Sequence, residues 1–334
     1  MFPNDLTPPR LRTAAFPVLF ALVLTTYSFT SDPVALGWTK LKPATTFTGR
    51  AGFATAYDPV SKKVVLFGGV NGTGELSDTW TFDGTTWEQV QTSGGPGPRG
   101  DAAMAYDAKI HKLVMFGGYH GFAFLNETWL WDGATSTWTQ AQPATVPTGA
   151  TNPILFSDPV NGRADMFGGY QGQFFSRSMY QWSGSDWTLL NPSTTPYPRS
   201  GSVVAYDPIR KYVVLFGGLS DNWVMQNTWT WDGSNWTEQA PANQPPATYF
   251  SHGAFDPSLK AVVFFSGGSS GVDQTTLWGW NGSNWGQLPA TNNPPARELF
   301  GTVWDPVGHQ FLIFSGTVFN TTILFTDTWR LHTY

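Results

Sequence analysis

Four arginines recur at equivalent positions of the chain and are the residues best suited to binding an acidic group. Arg50, Arg99, Arg199 and Arg297 each lie eight residues before an aspartate. A guanidinium group presents several donors in one plane and can hold a carboxylate through two parallel hydrogen bonds. The four side chains could therefore hold a carboxylate, although a structural role is the favoured interpretation of an arginine at this position.

Other side chains give little sign of catalysis. The five histidines are scattered and lack the spacing of metal ligands: His111, His120, His252, His309 and His332. The chain has no cysteine, which excludes disulfides, thiolate metal sites and a cysteine nucleophile. No pair of carboxylates stands out for glycoside hydrolysis. We therefore expect no catalytic residue, no cofactor and no metal.

Large aromatic side chains, with one histidine, form a second group of candidate binding residues. They lie in segments whose sequence differs from one part of the chain to the next: His120, Phe122, Phe124, Tyr170, Phe174, Trp223 and Phe319. Exposed aromatic groups on loops that a rigid scaffold holds are suited to recognition. The alternative is that they fold back over the ends of the strands and are buried.

A repeat positions both groups. Six aspartates lie 49 to 51 residues apart, and a phenylalanine follows each of them after nine residues: Asp58, Asp107, Asp158, Asp207, Asp256 and Asp305. A tryptophan twenty residues before the next aspartate recurs in five copies. Of the 17 tryptophans, only Trp223 lies outside the repeated aromatic positions, so the others are interpreted as core residues and not as sugar-stacking groups.

Each copy reads as four short strands. In residues 199–236 the apolar runs are separated by Asp207-Pro208, Gly217-Gly218 and Asp232-Gly233, which are turn signals. This pattern predicts a four-stranded antiparallel meander. The sixth copy ends after its third strand, and Trp38 stands twenty residues before Asp58. We therefore expect an N-terminal strand, residues 38–41, to complete the last sheet and remove its open edge.

The repeat resembles that of a kelch β-propeller and is similar in blade pattern to the propeller domain of galactose oxidase. The resemblance rests on the third-strand aromatic, the fourth-strand tryptophan and four glycine pairs, Gly68-Gly69, Gly117-Gly118, Gly168-Gly169 and Gly217-Gly218. Two copies depart from it, with Ser266-Gly267 and Ser315-Gly316. The absence of cysteine argues against the oxidase activity, because the copper site of that enzyme needs a Cys-Tyr crosslink.

The resemblance implies an all-β, six-bladed kelch-type propeller whose last blade is closed by the N-terminal strand. The blades are expected at 50–90, 99–141, 150–190, 199–239, 248–288 and 297–334 plus 38–41. The second-to-third strand loops and the crossings between blades open on one face of such a ring. We call this side the loop face. The four arginines would surround the channel mouth there, beside the aromatic residues.

Residues 1–31 differ from the rest of the chain. Arg10 and Arg12 precede an apolar run from Ala14 to Leu24, which is typical of a secretory signal peptide, although an uncleaved membrane anchor remains an alternative. We expect an exported protein with its propeller at 32–334, which contacts a membrane only if this segment is retained. The net charge of -5 lacks the polybasic signature of nucleic-acid binding.

Two functions remain open. The first is an exported, non-catalytic scaffold that binds an unknown protein, peptide or glycan through the loop face. The second is a small sugar-processing enzyme, implied by resemblance to kelch-type sialic acid mutarotases. In that case an arginine would hold the substrate carboxylate and Glu127 or Glu298 would move a proton. The similar lengths of the loops favour the scaffold, because a dedicated active site usually has one or two elaborated loops.

Overall fold

The computed structural model describes residues 35–158, 160–221, 223–265, 267–269 and 272–334. This part of the chain is built from strands, and no helix in it is long and apolar enough to cross a membrane. The predicted signal or anchor segment, residues 1–31, lies outside the described residues.

Six antiparallel sheets follow one another as blades, each with four main strands. Blade 1 has Ala54–Asp58, Lys63–Phe67, Thr79–Phe82 and Trp87–Val90. Blade 2 has Gly100–Asp107, Lys112–His120, Thr128–Asp132 and Thr137–Gln140. Blade 3 has Ile154–Ser157, Ala164–Phe167, Met179–Trp182 and Trp187–Leu190.

The second half of the ring repeats this order. Blade 4 has Val203–Asp207, Tyr212–Phe216, Thr228–Trp231 and Trp236–Gln239. Blade 5 has His252–Asp256, Ala261–Phe265, Leu277–Trp280 and Trp285–Gln287. Blade 6 has Gly301–Asp305, Gln310–Phe314, Thr328–Thr333 and, from the other end of the chain, Leu36–Lys40. Short strands lie at Val70–Asn71, Gly74–Glu75, Ala123–Phe124, Gly268–Ser269, Val272–Asp273 and Ala290–Thr291.

The repeated aspartate ends each first strand and forms the following turn. In blade 1 the buried carboxylate of Asp58 accepts the backbone N–H groups of Val60 and Ser61 at 3.0 and 3.2 Å. This is an Asx-type turn, in which the side chain takes the place of a backbone acceptor. The positive φ of the turn falls four residues after the aspartate, as at Lys62, and not on the aspartate itself.

The ring closes by pairing the two ends of the chain. Leu36–Lys40 runs antiparallel to Thr328–Thr333, with Trp38 opposite Leu331. The indole of Trp38 is 2% exposed and packs edge to face on Phe265 and Phe311. The predicted closure of blade 6 by an N-terminal strand is therefore confirmed, as is the six-bladed all-β architecture.

The core lies between blades. One apolar cluster, for example, joins Leu66, Phe82 and Trp87 of blade 1 to Leu312 and Phe314 of blade 6. Because a blade buries its two faces only against its neighbours, the stability of each blade depends on both neighbouring blades.

A repeated hydrogen bond joins successive blades. The indole N–H of a fourth-strand tryptophan donates to the threonine that begins the third strand of the preceding blade, at 2.8 to 3.0 Å: Trp87 to Thr328, Trp138 to Thr79, Trp187 to Thr128 and Trp285 to Thr228. In the remaining blades Met179 and Leu277 occupy the threonine position. Trp236 meets the sulfur of Met179 at 3.3 Å, and the indole N–H of Trp38 has no acceptor among the described residues.

The closing strand predicts a large effect of Trp38→Ala. Removing this buried indole leaves a cavity between blades 5 and 6, and we expect a loss of about 3–5 kcal/mol in the free energy of unfolding. Urea unfolding followed by tryptophan fluorescence measures the change.

The matched control is Trp223→Ala, which removes an indole that is 67% exposed. We expect it to alter stability by less than about 0.5 kcal/mol. Equal effects of the two substitutions would contradict the closing role of Trp38.

Candidate functional site

The structure places the four predicted arginines inside the blades and not around the channel mouth. Arg50, Arg99, Arg199 and Arg297 are at most 2% exposed. Each Nη1 donates to the carbonyl of the residue that begins the glycine-pair position: Gly68, Gly117, Gly217 and Ser315. The expected placement is therefore wrong, because each side chain turns away from the channel and back across its own blade.

Three of these arginines are paired with an acid that directly precedes the third strand. The pairs are Arg50–Asp78, Arg99–Glu127 and Arg297–Asp327, with shortest N···O distances of 2.5, 2.5 and 2.7 Å. The same three carboxylates accept the indole N–H of Trp80, Trp129 and Trp329 at 2.7, 2.9 and 2.8 Å. Each pair thus fixes the end of the loop between the second and third strands.

These contacts decide the charge of the acids. Burial alone would raise the pKa of Asp78, but the hydrogen bonds from Arg50 and Trp80 and the charge of Arg50 lower its pKa below the usual value. The pKa values of Glu127 and Asp327 are lowered in the same way. Partial burial would raise them, but the arginine and tryptophan partners of each carboxylate outweigh this effect. The pairs are therefore ionised at neutral pH.

The arginine and the acid are absent together. Blades 3 and 5 have Ala150 and Thr248 at the arginine position, and Ser178 and Thr276 at the acid position. The arginines stand out in the sequence and their acidic partners do not, although the constant spacing of 28 residues in Arg50–Asp78 and Arg99–Glu127 is a signal that could have identified them.

Blade 4 is an intermediate case. Asn227 replaces the acid and accepts a hydrogen bond from Nη1 of Arg199 at 2.8 Å, while Nη2 of this arginine has no partner among the described residues. Burial lowers the pKa of Arg199 to about 10, opposed by the charge of Glu238, which hydrogen-bonds to Asn227. Arg199 is 0% exposed, so this incomplete pair does not face solvent.

A ring of backbone hydrogen bonds surrounds the channel on the loop face. It is formed by the residue two positions after each arginine position: Gly52, Asp101, Asn152, Gly201, Phe250 and Leu299. The N–H of each donates to the carbonyl of the preceding member, and Gly52 donates to Leu299, with N···O distances of 2.6 to 3.4 Å. All six have φ between +47° and +61°, which is unusual for residues as large as Phe250 and Leu299. We call this set the mouth ring.

The channel beneath the mouth ring is a cavity of about 470 Å³ lined by the six first strands. Two of its titratable side chains have strongly shifted pKa values. Loss of hydration raises the pKa of Asp101 to about 7, opposed by a hydrogen bond with Asn152. His252 is exposed to the channel, and the protein around the channel lowers its pKa to about 4 through loss of hydration. Neither residue was predicted, because only closure of the ring brings distant first strands to one axis.

The aromatic candidates lie on the loop face, where short hairpins cover the outer ends of the blades. Four of them are well exposed, with Phe122 at 102%, Trp223 at 67%, Phe174 at 54% and Phe124 at 40%. Phe319, at 37%, lies on blade 6, away from these groups. The alternative that the predicted phenylalanines and Trp223 fold back and are buried therefore does not hold.

Blades 2 and 3 contribute a connected part of this surface. The ring of Phe124 meets Tyr170 at a centroid distance of 5.9 Å, and Tyr170 meets Phe175 at 5.0 Å. The hydroxyl of Tyr170 donates to the carbonyl of Gly172 at 2.6 Å, which orients the ring. His120 lies beside this group and approaches Glu75 of blade 1 at 3.6 Å. We call Phe122, Phe124, Tyr170, Phe174 and Trp223 the aromatic patch.

Acidic residues and histidines do not gather into a metal site in the part of the chain that the structure describes. The carboxylates Asp78, Glu127 and Asp327 are occupied by arginine, and the aspartates of the first-strand turns bind backbone N–H groups, as Asp107 and Asp207 do. Hydrogen bonding inside the protein therefore engages most of its buried charge.

Comparison with known proteins supports a propeller of the kelch class. The sequence model of the KLHDC2/KLHL20/DRC7 Kelch-repeats domain matches residues 23–176. The solved structure of YjhT superposes with a TM-score of 0.67 and covers 86% of this chain and 95% of its own, at 17% sequence identity. At this identity the likeness shows the fold alone. No curated protein matches the sequence. The fold of the described residues is a six-bladed β-propeller of the kelch type.

The buried ion pairs predict that Asp78→Ala is strongly destabilising. It leaves the fully buried Arg50 without its counter-ion, and we expect a loss of about 3–5 kcal/mol in the free energy of unfolding. The control is Glu88→Ala, because its pair with Lys63 is exposed to solvent and should contribute less than about 1 kcal/mol. Similar losses in both variants would contradict this role.

The same pair predicts a dependence on acid. Because the pKa of Asp78 is lowered in the folded protein, its contribution is complete above the unfolded value of about 4 and is lost as the pH falls below it. The stability difference between wild type and Asp78→Ala, measured by urea unfolding, should therefore shrink at about pH 3. A constant difference between neutral and acidic pH would show that the ion pair is not its source.

Proposed function

We propose that this protein is an exported, non-catalytic scaffold that binds a protein, a peptide or a glycan through its loop face. The observation that carries the proposal is the aromatic patch. Four of its side chains, Phe122, Phe124, Phe174 and Trp223, are exposed and Tyr170 is half-buried. The repeat does not require an aromatic residue at the position of Tyr170, since Val70 and Leu219 occupy it in blades 1 and 4. Several exposed aromatic groups on one face of a domain are typical of a recognition surface.

The physical argument concerns the cost of exposure and the gain on binding. A phenylalanine that is fully exposed gains roughly 1.5–3 kcal/mol when a partner removes it from water. Aromatic side chains lose little conformational entropy and dominate many interfaces as anchors. The mouth ring joins the blades beneath these anchors, and in blade 2 the Arg99–Glu127 pair also holds the end of the loop that carries Phe122 and Phe124. The loop face thus combines a rigid scaffold with exposed apolar side chains, as a binding module requires.

Direct binding measurements test the proposal. Immobilised protein is screened against an array of neutral and sialylated glycans and against a displayed peptide library, and hits are measured by calorimetry. Phe122→Ser and Trp223→Ser should each weaken the binding of a hit at least about tenfold, a loss of about 1.4 kcal/mol, without lowering the melting temperature.

The control variant is Ile209→Ser, which removes a side chain that is 52% exposed on the opposite face. It should leave affinity unchanged. Hits that bind wild type and both patch variants equally would locate recognition elsewhere and remove the basis for this surface.

A sugar-processing activity similar to that of kelch-type sialic acid mutarotases is the second candidate. Arg99, which would bind the substrate carboxylate, forms an ion pair with Glu127, which would move a proton. The other proposed proton carrier, Glu298, is buried, with 7% exposure. The observation that favours an enzyme is instead in the channel. There, the raised pKa of Asp101 and the lowered pKa of His252 keep one potential acid and one neutral base available near pH 7.

Anomer exchange of sialic acid, followed by NMR with saturation transfer, distinguishes the two functions. A scaffold leaves the spontaneous rate unchanged. Catalysed exchange that Asp101→Asn abolishes while the melting temperature is retained would support the enzyme and overturn the non-catalytic proposal. Export is tested separately by mass spectrometry, since an intact Met1 in a membrane fraction would indicate the uncleaved anchor.

A further inference from the structure

Blade 3 contains a buried carboxyl group that the repeat does not require. Asp165 lies in the middle of the second strand and is 0% exposed. The equivalent positions of the other blades hold aliphatic residues: Val65, Val114, Val214, Val263 and Leu312. Each of these aliphatic side chains packs in an apolar cluster between blades. An acid at this position is unfavourable unless its oxygens find partners.

The partners of Asp165 are incomplete. Gln181, opposite it on the third strand, donates from Nε2 to Oδ1 at 3.0 Å. The second oxygen, Oδ2, has no donor among the described residues, and no described basic side chain forms an ion pair with this carboxyl. An ionised Asp165 would therefore leave a buried, negatively charged oxygen without compensation.

The charged groups that face Asp165 are also acids. The carboxyl of Asp158, 1% exposed, is its hydrogen-bonding neighbour within blade 3, and Asp107 of blade 2 adds a further negative charge. Asp158 already accepts the N–H groups of its turn on Oδ1 and the indole N–H of Trp231, from blade 4, on Oδ2 at 2.9 Å. Asp158 is thus well solvated by donors as a carboxylate, and Asp165 is not.

Burial and these neighbouring charges act in the same direction. Loss of hydration, followed by the charge of Asp158, raises the pKa of Asp165 to about 8, and Gln181 opposes this only in part. An acid whose pKa is raised by folding destabilises the folded state progressively as the pH rises from the unfolded value of about 4 to the folded value.

We propose that Asp165 retains a proton at neutral pH and donates it to Asp158, so that a hydrogen-bonded chain from Gln181 through both carboxyl groups to Trp231 joins blade 3 to blade 4. Loss of this proton places two carboxylates side by side inside the seam. The seam then loosens, and blade 3 alone becomes sensitive to alkaline conditions.

The position of Asp165 determines where the loosening acts. The second strand continues from Asp165 to Phe167 and then, through Gly168 and Gly169, into the loop that carries Tyr170. Strand and loop share one continuous backbone, and Ser176 in the loop donates its N–H to the carbonyl of Gly169. Residues 164–178 are therefore the segment that should respond first.

Two substitutions test this hydrogen-bonded chain of side chains by urea unfolding between about pH 5 and pH 9. Asp165→Asn imitates the protonated acid and cannot ionise, whereas Asp165→Val restores the residue of the other blades. The folding equilibrium constant of wild type, relative to either variant, should fall by up to about tenfold per pH unit until pH 8. Asp101→Asn is the control, because it removes the other carboxyl whose pKa is raised. The pH-dependent fall in the folding equilibrium constant that Asp165 causes should persist in this variant.

A measurement on the unaltered protein makes the test independent of the variants. Hydrogen exchange, corrected for the intrinsic rate, is compared for residues 164–178 and for residues 64–78, which form the same segment of blade 1 around Val65. Protection of 164–178 alone should decrease as the pH rises towards about 8 and should level off above it. The proposal is overturned if the protection of the two segments changes in parallel. It is also overturned if the ratio of the folding equilibrium constants of wild type and Asp165→Asn does not vary with pH.

Discussion

Closure of the circle is the constraint on which the rest of this structure depends. A single four-stranded blade has two apolar faces and cannot bury either one alone, so it is stable only between two neighbours. The pairing of Leu36–Lys40 with Thr328–Thr333 gives the last blade its fourth strand and gives the first blade its neighbour. The mouth ring adds one inter-blade hydrogen bond per blade at the axis. The tryptophan to threonine bonds then join successive blades around the closed ring.

Closure also separates residues that support the ring from residues that are free to recognise a partner. The turn aspartates and the fourth-strand tryptophans are buried and repeat from blade to blade, and buried arginines are paired with acids in three of the six blades. The loop between second and third strands is held by these pairs in blades 1, 2 and 6, and its sequence changes in every blade. Chemical diversity is therefore confined to one face, where aromatic side chains accumulate on blades 2 to 4.

The sequence predicts the fold well because a repeat reports the same information six times. Trp38 could be assigned to the last blade since its distance from Asp58 matches that of the other tryptophans from the next aspartate. The direction of a side chain at the end of a strand carries no such signal. Arg50 was placed at the channel mouth, whereas Gly52, two residues later, lies there. Asp101 and His252 come from different blades, so no local pattern could bring them to one cavity.

The mouth ring has a further electrostatic consequence. The N–H and the C=O of each member belong to two successive peptide groups, and the six hydrogen-bond dipoles follow one another in the same sense around the axis. In a closed loop, however, these dipoles lie along the circumference and their vectors cancel. The entrance consequently lacks the partial positive charge that the start of a helix offers to an anion. Any preference of this opening for the charge of a visiting molecule must come from a few side chains, and replacing Asp101 or Asn152 would be enough to change it.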